Sequence, residues 1–221
     1  MTASEERTGV ESLYPFIYAG EADVEAVLEE VRRSTAEKAM EIVALRGTVL
    51  ERYRERLAAC AEAMAERFTV GRRLFAFGNG GSSTDAQDVA TTFLNPADGG
   101  RPLPAISLTA DIAVVTALSN DIGFDVVFAR QIAAFGRRGD IAMGLSTSGN
   151  SVNLLRAFDE AARRGLLTVG LAGYEGGKMS ELDSIEYLFV VPSSSVHRIQ
   201  EAQTTIYHVL FELTRRALTG I

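Results

Sequence analysis

After Gly71, five short and almost entirely apolar segments alternate with longer segments of helical periodicity. The apolar segments are "RRLFAFG", "PAISLTA", "DIAMGLSTSG", "LTVGLAG" and "IEYLFVVP". Strands that are apolar along their whole length are typical of a parallel sheet covered by helices on both faces. The alternation therefore predicts an α/β fold with a doubly wound parallel sheet.

The chain before Gly71 has a different character. Residues 1–12 are polar and predict a disordered tail, and residues 21–68 predict one long helical region without proline and with one glycine, Gly47. Such a long amphipathic region exceeds what one small core needs, so it could cap the domain or pack against another subunit. We prefer the second interpretation and divide the chain into a tail (1–12), an N-terminal helical region for oligomerisation (13–70) and a ligand-binding domain (71–221).

Composition limits the class of protein. A formal net charge of −7 argues against direct nucleic-acid binding, which depends on basic surface, but it leaves a small phosphorylated ligand open. No apolar run approaches the roughly 20 residues of a membrane-spanning helix, and the acidic start resembles no signal peptide. The single cysteine, Cys60, excludes an internal disulfide and is expected in the core. We therefore expect a cytoplasmic protein.

Two polar turns follow predicted strands. "GNGGSSTD" (residues 78–85) follows the first strand and "STSGNS" (residues 146–151) follows the third. Glycines allow tight turns, and the free N–H groups at a helix start attract an anion. Ligands bind beyond the carboxyl ends of parallel strands. The serine loop therefore predicts a phosphate site, and Asn79 and Ser82 of the glycine turn can reach the hydroxyls of the same ligand.

These turns, together with the later segments "SND" and "RIQE", make the chain similar to a known family. Residues 74–213 resemble sugar isomerase (SIS) domains, and most of all the phosphoheptose isomerases, which interconvert sedoheptulose 7-phosphate and D-glycero-D-manno-heptose 7-phosphate. Further matching segments are "TALSNDIGFD.VFARQ" and "GGKM". The resemblance implies a SIS-type, flavodoxin-like fold, a sugar-phosphate ligand and a homotetramer.

The resemblance also implies site residues. Gln200 and His208 match a glutamine and a histidine that lie at the reacting end of the substrate and can ligate zinc. The implied phosphate ligands are Ser146, Thr147, Ser148 and Ser151. The other expected substrate contacts are Asn79, Gly80, Gly81, Ser82, Thr92, Asn120, Asp121 and Gln200.

The helix after the glycine turn departs from the family pattern. Phosphoheptose isomerases carry a histidine and a glutamate there, four residues apart on one helical face. This chain has Asp88 at the histidine position and Thr92 at the glutamate position. The glutamate is the expected base, and a threonine hydroxyl cannot act as a general base near pH 7. Asp88, Gln200 and His208 are then the candidate catalytic residues and the candidate ligands of a possible zinc ion.

Several alternatives stay open. Gln200, Thr204 and His208 form one row on the last helix, but His208 could simply pack against the apolar side. Asp85 could replace the base or only cap its helix, and His197 could reach the phosphate. Two functions are consistent with the sequence: an isomerase whose proton is moved by His208 with Asp88 or Asp85, and a phosphosugar-binding protein that senses a ligand or docks a protein partner.

Overall fold

The structure is a computed structural model that describes residues 24–97 and 99–220, with Val24 described by its backbone only. The predicted tail and the first residues of the N-terminal region lie outside these ranges. The described residues form five strands, β1 Leu74–Gly78, β2 Ala105–Ser107, β3 Ile141–Leu145, β4 Leu167–Gly173 and β5 Tyr187–Val191. They also form six α-helices, α1 Val24–Thr69, α2 Gly81–Leu94, α3 Ile112–Asp121, α4 Val127–Phe135, α5 Val152–Arg163 and α6 Val196–Thr219. Single 3-10 turns lie at Phe124–Val126 and Gly177–Glu181.

The strands form one parallel sheet in the order β2-β1-β3-β4-β5, which confirms the predicted α/β fold. The chain changes direction across the sheet at β1, whose neighbours are β2 and β3. In sheets of this kind the crevice outside such a switch point is the usual ligand site. Gly78 at the end of β1 pairs in register with Leu145 at the end of β3, so the two polar turns leave the sheet at the same level.

Helices cover both faces of the sheet, as its apolar strands predict. The cluster on one face includes Met64 of α1, Val89 of α2 and Ile206 of α6. The other cluster centres on Phe77, which packs against Phe128 and Phe158 at ring-centroid distances of 5.5 and 5.3 Å. Burial of this kind contributes roughly 1.5–3 kcal/mol for each large apolar side chain.

The parts of helix α1 before and after position 41 belong to two different units of the chain. In the first unit, Val27, Leu28 and Val31 are exposed. In the second, Cys60 is fully buried as expected, and burial raises the pKa of its thiol. The Tyr53 hydroxyl accepts a hydrogen bond of 3.0 Å from the backbone N–H of Val190 in β5. This bond fixes the middle of α1 to the sheet.

One helix boundary differs clearly from the sequence-based expectation. Helix α2 begins at Gly81 rather than near position 84, because Gly80 takes a left-handed φ of 55° and the helix starts directly after it. The third to sixth helices begin and end within about two residues of the expected positions, which is the ordinary uncertainty of helix ends. Among the described helices, none combines the length and the apolar character that crossing a bilayer requires.

Candidate functional site

The glycine turn lies between β1 and α2. The N–H groups of Ser82 and Ser83 donate to the carbonyls of Asn79 and Gly80 and close the turn. Ser82 is buried, whereas Asn79 is half-buried and Gly80 and Gly81 are exposed. A Cβ atom at position 81 would collide with the amide nitrogen of Gln200. Position 81 therefore has to be glycine if the Gln200 side chain is to lie across the turn.

The serine loop uses some of its hydroxyls to hold its own shape. Ser146 Oγ accepts from the N–H of Gly149 at 3.0 Å, and Ser148 Oγ accepts from the N–H of Asn150 at 3.2 Å. Gly149 has a φ of 67°, and its Cα faces the carbonyl oxygen of Gly176 so closely that no Cβ fits. Thr147 is half-buried. The loop is thus built before any ligand arrives.

The loop leads into the N-terminus of α5, which suits an anion. Ser151 is the N-cap residue, and within the described chain its hydroxyl makes no capping hydrogen bond. The first N–H groups of a helix lack intrahelical partners and carry partial positive charge. The Ser151 hydroxyl and these N–H groups can therefore bind a phosphate monoester together.

Two buried amide side chains, Asn153 and Gln203, connect these turns to the neighbouring helices. The sequence analysis did not identify either of them. Asn79 and Asn153 exchange a pair of side-chain hydrogen bonds of 2.9 Å, which ties the glycine turn to α5. Gln203 is fully buried and donates to the carbonyl of Ser146 at 2.9 Å, which ties the serine loop to α6. The available signal was polarity: each is an amide on the apolar face of an amphipathic helix.

Helices α2 and α6 run side by side in the same direction. Gly81 meets Gln200 at their N-terminal ends, and Asp88 meets Tyr207 and His208 two turns further along. At 1.5 Å per residue these two contacts lie about 11 Å apart. Polar groups of α2 and α6 therefore meet at two points along this pair of helices.

Asp88, Tyr207 and His208 form the second contact. Tyr207 Oη donates to Asp88 Oδ2 at 2.6 Å, and His208 Nε2 lies 3.5 Å from the same oxygen. The side chains of His208 and Asp88 are 45% and 51% exposed, so a ligand can reach both. The alternative that His208 only packs against the apolar side is not what the structure shows, since its ring faces a carboxylate.

Asp85 lies one helical turn before Asp88. The structure places it in the second turn of α2, where it does not cap the helix. Burial, and secondly the nearby charge of Asp88, raise the pKa of its carboxyl to about 6. Its Oδ2 atom is buried and, among the described residues, has no hydrogen-bond partner. A carboxyl group that titrates near neutrality is suited to proton transfer.

The remaining predicted residues are not gathered at this contact. Asn120 Nδ2 donates to Asp121 Oδ1 at 2.8 Å, and no described hydrogen bond joins either residue to the two turns. Thr92 lies half-buried one turn beyond Asp88 on α2. His197 is exposed in the first turn of α6, and Glu201 pairs with Arg198 as a surface ion pair.

Asp88, Gln200 and His208 are the candidate ligands of a possible zinc ion. The structure joins Asp88 to His208, while Gln200 lies against the glycine turn. Within the described ranges, no three His, Cys, Asp or Glu side chains form a group that could hold a metal ion. One carboxylate and one imidazole do not make up the three-ligand set of a catalytic zinc. Zinc at this site stays a prediction.

A cavity of about 710 Å³ opens beside the serine loop. Loops that follow β3, β4 and β5 supply its walls: Ser148, Asn150, Tyr174, Glu175, Gly177, Pro192, Ser193 and Ser194. Its volume is in the range of small-molecule sites, and its hydroxyl, amide and carboxylate groups suit a polyhydroxylated ligand.

Comparisons with known proteins agree with this geometry. The family model described as SIS domain matches residues 37–173. The phosphoheptose isomerase of Nitratidesulfovibrio vulgaris is 43% identical over 187 residues, which cover 84% of this chain and 89% of that protein. The phosphoheptose isomerase of Pelodictyon phaeoclathratiforme is 46% identical over 165 residues, covering 73% and 78%.

A solved structure gives the same result. The phosphoheptose isomerase of Neisseria gonorrhoeae superposes with a TM-score of 0.75 at 32% identity, over 84% of this chain and 98% of that one. The sheet order, the two polar turns and these relatives point to one family. The chain belongs to the SIS domain family, in its phosphoheptose isomerase branch.

Proposed function

We propose that the protein is an aldose–ketose isomerase that acts on sedoheptulose 7-phosphate, or a similar sugar phosphate, through a cis-enediol. The observation that carries the proposal is the meeting of two polar turns at one edge of the sheet, with an accessible Asp88–His208 pair two helical turns further along α2. The relatives above, which are named phosphoheptose isomerases, support the substrate class. They do not favour the alternative of a phosphosugar sensor or docking scaffold.

The phosphate is assigned to the serine loop. The N-terminus of α5 supplies backbone N–H donors, and the Ser151 hydroxyl is not used for capping. Thr147 and Ser148 supply further hydroxyls, while Ser146 mainly holds the loop in shape. A local nest of this kind binds a dianion although the whole chain carries a net charge of −7.

His208 is assigned as the group that moves the proton. It takes a proton from C1 of the ketose, the electrons of that C–H bond form the C1=C2 double bond, and the oxygen on C2 gains a proton. Return of a proton to C2 and loss of the hydroxyl proton on C1 give the aldose. An imidazole suits both directions because its ordinary pKa lies near neutrality. Asp88 orients the imidazole, and Thr92 contributes at most a substrate contact.

The protein is also proposed to work as a homo-oligomer, and a homotetramer is what the resemblance implies. Val43 and Leu50 of α1 are 67% and 53% exposed on the same helical face. Exposed apolar stripes of this kind are typical of helices that pack against another subunit. A cytoplasmic location stays a prediction.

The test is a direct assay of the purified protein. Sedoheptulose 7-phosphate is followed by carbon NMR, and we expect an aldose C1 signal to appear with the protein and not without it. Sedoheptulose without its phosphate is the matched control and should convert far more slowly, because the serine loop then has nothing to bind. Binding of the phosphorylated sugar without any aldose would support the sensor or scaffold instead.

A further inference from the structure

Tyr207 is a buried residue whose hydroxyl reaches the candidate active site. Its side chain is 1% exposed and packs in the core between the sheet and the helices. Its hydroxyl donates to Asp88 Oδ2 at 2.6 Å. Its ring also lies beside the imidazole of His208, with centroids 5.0 Å apart.

The side chains of Asp88 and Tyr207 differ in how firmly they are held. Asp88 is half exposed, and its carboxylate would otherwise rotate among several rotamers. Tyr207 is locked by packing on all sides, so its short hydrogen bond fixes one oxygen of Asp88 in space. The hydroxyl is the donor of this hydrogen bond, and Asp88 Oδ2 is its acceptor.

The fixed oxygen is the one that faces His208. Asp88 Oδ2 lies 3.5 Å from His208 Nε2, so a carboxylate held there favours the imidazole form with its proton on Nε2. The other ring nitrogen, Nδ1, is then without a proton and can accept one. A carboxylate that sets the tautomer of a catalytic histidine is a recurring arrangement in enzymes.

We propose that Tyr207 is a positioning residue for His208. It holds Asp88 Oδ2 against Nε2 and so leaves Nδ1 as the proton acceptor for the substrate. The catalytic part of this inference rests on the proposed function. Thr92 cannot serve as a base, so the orientation of the His208 imidazole bears directly on the rate.

The experiment compares Tyr207→Phe with Tyr53→Phe. Both variants remove one buried tyrosine hydroxyl and keep the ring, and the Tyr53 hydroxyl bonds to the backbone of β5 instead of to the site. The first readout is the split of kcat against KM for sedoheptulose 7-phosphate. The second is the 15N NMR spectrum of the imidazoles near pH 8, where histidine is neutral, which reports the nitrogen that carries the proton. His197 and His208 are the two histidines of the chain, so His197→Gln assigns the signals.

We expect His208 of the unmodified protein to carry its proton on Nε2. Tyr207→Phe should give a mixture of tautomers and lower kcat about tenfold with KM nearly unchanged, because a hydrogen bond to a charged group is lost. Tyr53→Phe should change neither readout, although it lowers stability.

Three results would overturn the inference: an unchanged tautomer in Tyr207→Phe, an unchanged kcat despite a changed tautomer, or the same losses in Tyr53→Phe. If the unmodified protein makes no aldose, the proposed function fails. The NMR comparison alone then decides whether Tyr207 positions Asp88 against His208.

Discussion

Asp85 shows how a single residue links the site to stability. Its folded-state pKa of about 6 is above its ordinary value of 3.8, first because of burial and then because of Asp88. The folded state therefore binds this proton more tightly than the unfolded chain does. The stabilising contribution is complete below about pH 3.8 and is lost as the pH rises through about 6.

Asp85→Asn should therefore be more stable than the parent at pH 8 and equally stable near pH 4. We expect a gain of about 1 kcal/mol at pH 8, which allows for solvent screening of a half-exposed group. Urea unfolding at the two pH values measures the free energy of unfolding. Asp183→Asn, which changes an exposed carboxylate, should alter stability little at either pH. An Asp85→Asn variant with no gain at pH 8 would contradict the assignment of a buried, unpaired carboxyl.

At this scale the sequence predicted part of the site. Helical spacing places Gln200, Thr204 and His208 in one row on α6, and His208 does lie beside Asp88 of α2. The partnership of Asp88 with Tyr207 was not predictable, because 119 residues separate them. Periodicity predicts that the Tyr207 ring is buried, but it does not predict which residue the Tyr207 hydroxyl contacts.

Among the elements, the two turns carry the site. A Cβ atom at position 81 would displace the end of the Gln200 side chain, whereas one at position 149 would meet the backbone carbonyl of Gly176, so the serine loop needs Gly149. The positions of both turns followed from the strand pattern, since residues that end neighbouring parallel strands meet at one edge. The buried amides of Asn153 and Gln203 were missed because a polar residue on an apolar helix face has no fixed partner in sequence terms.

Gly149→Ala should disrupt the serine loop. The substitution puts a Cβ both at a φ of 67° and against the carbonyl oxygen of Gly176. We expect a loss of stability well above about 1 kcal/mol, together with weaker binding of inorganic phosphate, measured by thermal unfolding and by calorimetry.

The control variant Gly71→Ala separates the effect of the left-handed backbone from the effect of the contact with Gly176. Gly71 has a φ of 75° with nothing within 4 Å of its added Cβ, so only the backbone penalty of about 1 kcal/mol applies. Equal losses in the two variants would mean that the contact with Gly176 is unimportant for the loop.

For the whole molecule, the alternation of apolar strands and helices predicted the sheet and its parallel direction correctly. The order of the strands could not be predicted from their pattern, because each strand is mostly apolar and its neighbours cannot be distinguished. Assembly is a separate question. On the face of α1 that carries Val43 and Leu50, these two side chains are exposed, whereas Leu57, seven residues further along, is buried in the core.

The double substitution Val43→Glu and Leu50→Glu should break the proposed oligomer into smaller species. Charges placed in an apolar interface remain unpaired and oppose association. Light scattering coupled to size-exclusion chromatography gives the mass, and a 23.8 kDa chain sets the monomer value. Val70→Glu is the matched control, since Val70 is 65% exposed and lies beyond the end of α1. An unchanged mass in the double variant would exclude this face as the interface.

The central claim is that His208 moves a proton between C1 and C2 of a sugar phosphate without a glutamate at position 92. The most direct measurement is proton NMR of sedoheptulose 7-phosphate in D₂O with the unmodified protein and with His208→Asn. We predict that solvent deuterium enters at C1 with the unmodified protein, and that His208→Asn slows its entry about 10²-fold or more. Equal rates of exchange in both proteins would show that another group is the base, and no exchange in either would contradict the enediol chemistry itself.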